Sequence, residues 1–174
     1  MGTSNRSEYK MLRKSPIIFV VTGTQAPFDR LLSILDKWGG TQNTYSIIAQ
    51  MANSEMNFKN MTCFDYLEPD VFNEYFNNAD FIIGHAGIGT IITALENQKK
   101  LLVFPRLEKY SEHRNDHQLH TAKGFEELGL INIAYNEKEL LRYLDNLHCI
   151  AEKKKIDNKA EQRLLDALYI FINK

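Results

Sequence analysis

Apolar residues fall into two alternating patterns along the chain. Residues 17–21 (Ile-Ile-Phe-Val-Val) form an unbroken, largely β-branched run, the mark of a strand buried on both faces. Residues 27–38 then place Phe28, Leu31, Leu32, Leu35 and Trp38 at helical spacing, and Gly39-Gly40 stops the helix. Residues 45–50 and 61–67 read as the next strands. Glu68-Pro69-Asp70 opens a helix that carries Val71, Phe72, Tyr75 and Phe76. The pattern then predicts a strand at 81–84, a helix at 88–97, a strand at 101–104, a helix at 115–128 stopped by Gly129, a short strand at 131–134 and a helix at 137–147. After a charged stretch, Leu164, Leu165, Leu168, Phe171 and Ile172 share one side of a final helix over 159–172. Repeated β-then-α order implies right-handed crossovers. The expected fold is α/β, a Rossmann-like parallel sheet of about six strands with helices on both faces. Residues 1–15 read as a flexible arm, 16–150 as the folded domain, and 151–174 as a linker and amphipathic helix.

The strand at 81–84 runs straight into Gly84-His85-Ala86-Gly87-Ile88-Gly89-Thr90 and then into a helix. Such a turn presents unpaired backbone N–H groups at the positive end of a helix, a ready site for phosphate. Gly87 and Gly89 allow close approach to the backbone, although glycines in a strand-to-helix turn also serve purely geometric ends. His85, at the strand end, reads either as a core or capping histidine or as a catalyst. Thr90 and Thr93 lie one turn apart on the helix that follows.

Two further polar segments follow strands and belong at the same carboxyl edge of a parallel sheet, where ligands bind. Thr22-Gly23-Thr24-Gln25-Ala26-Pro27 has a single glycine and no lysine, so neither a dinucleotide fingerprint nor a P-loop is present. Its hydroxyls and amide suit a phosphate or a ribose, or simple helix capping. His113-Arg114-Asn115-Asp116-His117-Gln118 is densely polar. Asn115, Asp116 and Gln118 offer donors and acceptors suited to sugar hydroxyls, and Asn115 also suits a helix N-cap. His113, Asp116, His117 and His120 lie at i, i+3, i+4 and i+7, but no metal signature such as HExxH accompanies them, and no metal is expected.

Composition narrows the field. The 174 residues suit one domain with appendages, and a net charge of −1 gives no reason to expect nucleic acid. Cys63 and Cys149 have no metal or redox spacing and read as free thiols. No apolar run approaches the ~20 residues of a membrane span, and residues 1–15 lack the apolar core of a signal peptide. No nucleophile elbow, catalytic cysteine motif or paired carboxylates stand out.

Taken together, the run from Gly84 to Thr90, Ala94-Leu95-Glu96, Leu101-Leu102-Val103-Phe104-Pro105, Asn115-Asp116-His117-Gln118-Leu119 and the start Val21 to Leu31 resemble the C-terminal domain of glycosyltransferase family 28. The resemblance spans roughly residues 17–147. In particular it is similar to small stand-alone members from bacterial exopolysaccharide gene clusters. Those in turn resemble the cytosolic subunit of the two-part N-acetylglucosaminyltransferase of the dolichol pathway.

The resemblance implies the donor-binding half of a GT-B enzyme that uses a UDP-sugar. Carried over, Gly87, Ile88, Gly89 and Thr90 cradle the diphosphate, Gly23 and Thr24 face the same cleft, and Asn115, Asp116 and Gln118 contact the sugar. Gln25, His85, Ala86, Thr93, Arg106, Glu112 and His113 complete the expected donor site. Where many relatives place a ribose-holding Glu, this chain has Thr93, with Glu96 one turn on. Catalytic candidates are His85, His113 and Asp116.

The implied reaction is inverting, metal-free hexosyl transfer from a UDP-sugar to a lipid-linked acceptor in exopolysaccharide or capsule synthesis. Because a GT-B enzyme has two such domains, the resemblance also implies a membrane-anchored acceptor-binding partner. The expected location is cytoplasmic, peripheral at the inner face of the membrane. A non-catalytic accessory subunit that activates a partner transferase is the main alternative, and a single-domain enzyme acting alone is a third.

Overall fold

The computed structural model describes residues 15–150. It contains one sheet of six strands: β1 (Ile17–Val21), β2 (Ser46–Gln50), β3 (Thr62–Phe64), β4 (Phe81–Gly84), β5 (Lys100–Val103) and β6 (Asn132–Ile133). The helices are α1 (Asp29–Gly39), α2 (Pro69–Asn78), α3 (Ile88–Glu96), α4 (His117–Glu127) and α5 (Glu137–Leu144). The sheet order is β3-β2-β1-β4-β5-β6, and every pairing is parallel. The expected α/β fold, with its Rossmann-like parallel sheet, is therefore present. The predicted arm and final helix fall outside the described residues, except Ser15.

Alternate residues of each central strand serve opposite layers. Ile18 and Val20 of β1 pack with Leu31, Leu32 and Leu35 of α1 and with Leu140 and Leu144 of α5. Phe19 and Val21 point the other way, to Phe76 of α2, Ile91 and Leu95 of α3, and Ala122 and Phe125 of α4. Both faces are thus covered, which is why the central strands read as continuous apolar runs. Each fully buried Leu or Phe contributes about 1.5–3 kcal/mol through burial.

Several boundaries differ from the sequence pattern. The strand expected at 61–67 shrinks to Thr62–Phe64, because Leu67 N–H donates instead to the side-chain Oε1 of buried Gln50 (3.1 Å). The connection from β2 to β3 is a parallel crossover without a helix. It is pinned to α1, whose Asp36 Oδ1 accepts from the N–H groups of Lys59 (2.8 Å) and Asn60 (2.7 Å). Ser54 Oγ donates to Asp29 Oδ1 (2.6 Å), at the start of the same helix. The helix expected from 115 begins at His117, because the preceding residues are tied into a loop.

The chain builds outward from β1 in one direction through β2 and β3, and from β4 in the other through β5 and β6. The strand order therefore reverses between β1 and β4, and a crevice opens beyond their carboxyl ends. Gly84, opposite Val21, is required there: a Cβ would lie 2.8 Å from the Val21 carbonyl oxygen.

Candidate functional site

A cavity of about 570 Å³ occupies this crevice, and the turns after β1, β4 and β5 line it. The first wall is Thr22 to Ala26. Thr22 is buried and donates to the Gln50 carbonyl (2.8 Å), so its hydroxyl serves the scaffold. Gly23 adopts φ +85°, a conformation that favours glycine. Thr24 and Gln25 are exposed at the rim.

The second wall is the turn into α3. Gly87 is the N-cap and no side chain caps the helix. The Ile91 N–H bonds back to the Gly87 carbonyl (3.0 Å), so the N–H groups of Ile88, Gly89 and Thr90 belong to the open first turn. A Cβ on Gly89 would meet nothing within 4 Å, so this part of the backbone stands clear. Gly87 has a different role: a Cβ there would fall 2.3 Å from His85 Nε2.

His85 Nδ1 lies 3.2 Å from the Val21 carbonyl oxygen. A carbonyl only accepts, so Nδ1 carries the proton and Nε2 keeps its lone pair. Burial, chiefly, pushes the His85 pKa down to about 4; Arg106 and His113 act in the same direction and the Val21 bond opposes them.

The third wall follows β5. Arg106 is 3 % exposed and spends its guanidinium on main-chain oxygens. Nη1 donates to the carbonyls of Pro27 (2.6 Å) and Glu112 (3.4 Å), and Nη2 to those of Thr22 (2.8 Å) and Ala26 (2.6 Å). It also lies over the Phe28 ring. Burial lowers its pKa, and the charges of Glu112 and Asp29 act against that shift.

Glu112 takes a two-pronged ion pair from Arg30 (2.6 and 2.8 Å) and accepts the Leu107 N–H (2.9 Å). Gln118 is buried and its Oε1 accepts the Arg106 N–H (3.2 Å). His113 Nδ1 accepts the Arg114 N–H (2.9 Å), and its ring meets that of His117 edge-on at 4.3 Å. The His117 pKa is lowered, first by burial and then by His113 and His120.

The cavity brings together Gly23, Thr24, Gln25, His85, Gly87, Gly89, Thr90, Arg106, Glu112, His113 and Gln118 from the expected set. Five others are placed differently. Ala86 is buried among core residues, and Ile88 and Thr93 do not line the cavity. Asp116 turns its carboxylate to the Glu108 N–H (2.7 Å), and Asn115 Oδ1 accepts the His117 N–H (3.3 Å) and meets its Nδ1 (2.5 Å).

The structure also adds Thr22, Ala26 and His117 to the lining. Behind the site stands Arg30, its guanidinium 4.1 Å from the Phe104 ring centroid. His120 lies outside the cavity. Among the described residues no group of three or more His, Cys, Asp or Glu side chains is placed to hold a metal ion. A larger depression of about 820 Å³ runs along α5. There, however, Asn136 Oδ1 already accepts the Glu139 N–H (3.0 Å), so that helix end is capped.

The cavity therefore combines an uncapped helix N-terminus, open glycine backbone, hydroxyls and a neutral imidazole, an arrangement suited to an anionic group carrying a polar ligand. The chain is 35 % identical over 101 residues to the UDP-N-acetylglucosamine transferase subunit ALG13 of Candida albicans, covering 58 % of this chain and 30 % of that protein. To its namesake from Kluyveromyces lactis it is 36 % identical over 94 residues, covering 53 % and 45 %. The chain thus spans less than half the length of these relatives.

The solution structure of ALG13 superposes with a TM-score of 0.57 at 18 % identity, covering 88 % of this chain and 94 % of that one. MurG of Acinetobacter baumannii superposes with a TM-score of 0.59 at 17 % identity, covering 82 % of this chain and 44 % of that one. At such identities these likenesses speak to the fold. The model of the glycosyltransferase family 28 C-terminal domain matches residues 17–168, and the chain belongs to that family.

Proposed function

We propose that this chain is the donor-binding subunit of an inverting GT-B glycosyltransferase that uses a UDP-sugar. In this reading a membrane-associated partner presents a lipid-linked acceptor, and the hexosyl group is transferred in exopolysaccharide or capsule synthesis. The subunit works in the cytoplasm at the inner face of the membrane, held there by its partner. No helix among the described residues is long and apolar enough to cross a membrane.

The observation that carries the reading is the uncapped start of α3, with Gly89 open to space, at the point where the strand order reverses. The donor's diphosphate fits there. As the sugar departs, negative charge grows on the leaving phosphate, and the fixed N–H dipoles of α3 stabilise it. Gln118, through the amide N–H groups that its bond to Arg106 leaves unused, and His113 line the same cavity and are assigned to the sugar. Of the three catalytic candidates, Asp116 is bonded to loop backbone and His85 faces the diphosphate side, which leaves His113, in the lining, or a group of the partner as the base that activates the acceptor.

Calorimetry tests donor binding directly. UDP and UDP-N-acetylglucosamine should bind the isolated chain, and a folded protein that binds neither overturns the proposal. One observation favours the accessory-subunit reading: Arg106, the Lys or Arg among the described lining residues, is engaged by carbonyls. That reading expects no nucleotide affinity. For the partner, the stripe Leu164, Leu165, Leu168, Phe171 and Ile172, outside the described residues, is the proposed contact. Leu168→Asp should abolish co-purification while sparing UDP binding, and an unfolded subunit would instead assign those residues to its own core.

A further inference from the structure

The charge balance of the cavity points to a coupled proton, an inference that rests on donor binding as proposed above. A nucleotide-sugar diphosphate is dianionic, yet the permanent side-chain cation on this lining, Arg106, already donates to four carbonyl oxygens. The lining carboxylate, Glu112, is paired with Arg30. The remaining groups that change charge are the imidazoles of His85, His113 and His117.

His85 is the one built into the diphosphate wall. Its Nε2 is flanked by bare backbone: a Cβ on Gly87 would fall 2.3 Å from it and one on Gly23 3.1 Å. Because Nδ1–H is committed to the Val21 carbonyl, Nε2 presents a lone pair. A phosphate oxygen also presents lone pairs, so the two repel until a proton sits between them. Few charged or titratable groups share the described lining with the ring. The turn after β1 offers Gly23 and no charge, α3 offers the Thr90 hydroxyl, the loop after β5 offers Arg106, Glu112 and His113, and α4 offers His117.

We propose that His85 takes a proton from solvent onto Nε2 as the donor binds, and so becomes the counter-cation of the diphosphate. Nδ1–H stays on Val21, Nε2–H donates to a phosphate oxygen, and one proton is consumed per donor bound. Donor affinity then rises as the pH falls. The rise begins at the pKa of the complex and levels off near the His85 value of about 4 in the free protein, where the ring is already charged.

The probe is UDP-N-acetylglucosamine. Its phosphates are both esterified, whereas UDP has a terminal phosphate whose own titration near pH ~6 would confuse the reading. Calorimetry in two buffers of different ionisation enthalpy should show net proton uptake. Affinity should increase as the pH falls from about 8 to about 5.5, approaching about tenfold per pH unit at full uptake. In the wild-type complex the His85 ring resonances should titrate at higher pH than in the free protein, which needs no variant.

His85→Gln should bind more weakly and without the pH slope, whereas His120→Gln, outside the cavity, should keep it. Binding without proton uptake overturns the inference and leaves the functional proposal standing. Uptake that persists undiminished in His85→Gln also overturns it, and moves the proton to His113 or His117. A folded chain that binds no nucleotide sugar at any pH sinks the functional proposal itself.

Discussion

The turn after β4 and the segment after β5 line one cavity, yet their polar groups end in different places. The β4 turn leaves its donors open: Gly87 caps α3 without a side chain, and Gly89 has free space beside it. The β5 loop is dense in charge and amide groups, but these bind the protein. Arg106 holds the β1 turn, Glu112 holds Arg30, Gln118 holds the Arg106 backbone, and Asp116 holds Glu108. Most of a segment rich in polar side chains is thus a brace, and a turn nearly bare of them is the wall proposed for the diphosphate. Residue type alone does not mark a binding residue; what counts is whether its hydrogen-bonding capacity is already used.

The largest test of this division is Arg106→Met. Removing the guanidinium strands several carbonyls, and loss of a buried, bonded charge costs about 3–5 kcal/mol. Urea unfolding should show that loss, with Arg106→Lys recovering only part because an ammonium cannot span the same fork of acceptors. Unchanged stability in Arg106→Met would mean that Arg106 belongs to the ligand and not to the brace.

His85 provides the next largest effect, on stability without ligand. Its folded pKa of about 4 lies below the ordinary histidine value of 6.5, so the unfolded chain binds the proton more readily. The stabilising contribution is fully present above about pH 6.5 and is lost as the pH falls towards about 4, by up to about 3 kcal/mol. Thermal midpoints across this range should fall more steeply for wild type than for His85→Gln. Parallel curves would show that the ring titrates freely.

Gly89→Val is the converse of Arg106→Met. Its side chain projects where the described residues leave room and the backbone there is not strained, so fold stability should change by no more than about 0.5 kcal/mol. UDP affinity should drop by a factor of at least ~30, about 2 kcal/mol, because the side chain fills the diphosphate approach. Equal affinity in a folded mutant removes the β4 turn from the site.

How much of this was readable beforehand differs between the same two regions. The strand, glycine turn and helix of residues 81–96 are contiguous, so local periodicity carried both their form and their place in the cavity. The brace is assembled across the chain. Arg30 and Glu112 are 82 positions apart, and Arg106 reaches Ala26 across 80. No local pattern reports that Arg106 will be spent on carbonyls.

Asn115 and Asp116 illustrate a different obstacle. They suit a sugar hydroxyl by type, but short polar side chains also bond nearby backbone N–H groups, and here those of His117 and Glu108 win. The pattern left the crossover from β2 to β3 without a helix, as it is, but not its anchor, since that is Asp36 on α1, more than twenty positions away.

The smallest expected effect concerns metal, and it sharpens the comparison because the two walls make opposite demands. If the β5 loop were the charge-handling wall, a divalent ion between its His and Asp residues would be the natural counter-ion for the diphosphate. His113 Nδ1 instead accepts from the Arg114 N–H, His117 Nδ1 meets Asn115, and Asp116 accepts from Glu108, so each group is turned to a local partner. If the β4 turn carries the charge, the N–H dipoles of α3 do that work and no ion is needed. UDP-N-acetylglucosamine affinity should therefore be the same in EDTA as in manganese or magnesium, within a factor of about two. A tenfold loss on chelation, about 1.4 kcal/mol and restored by one of those ions, would return the charge-handling role to the β5 loop.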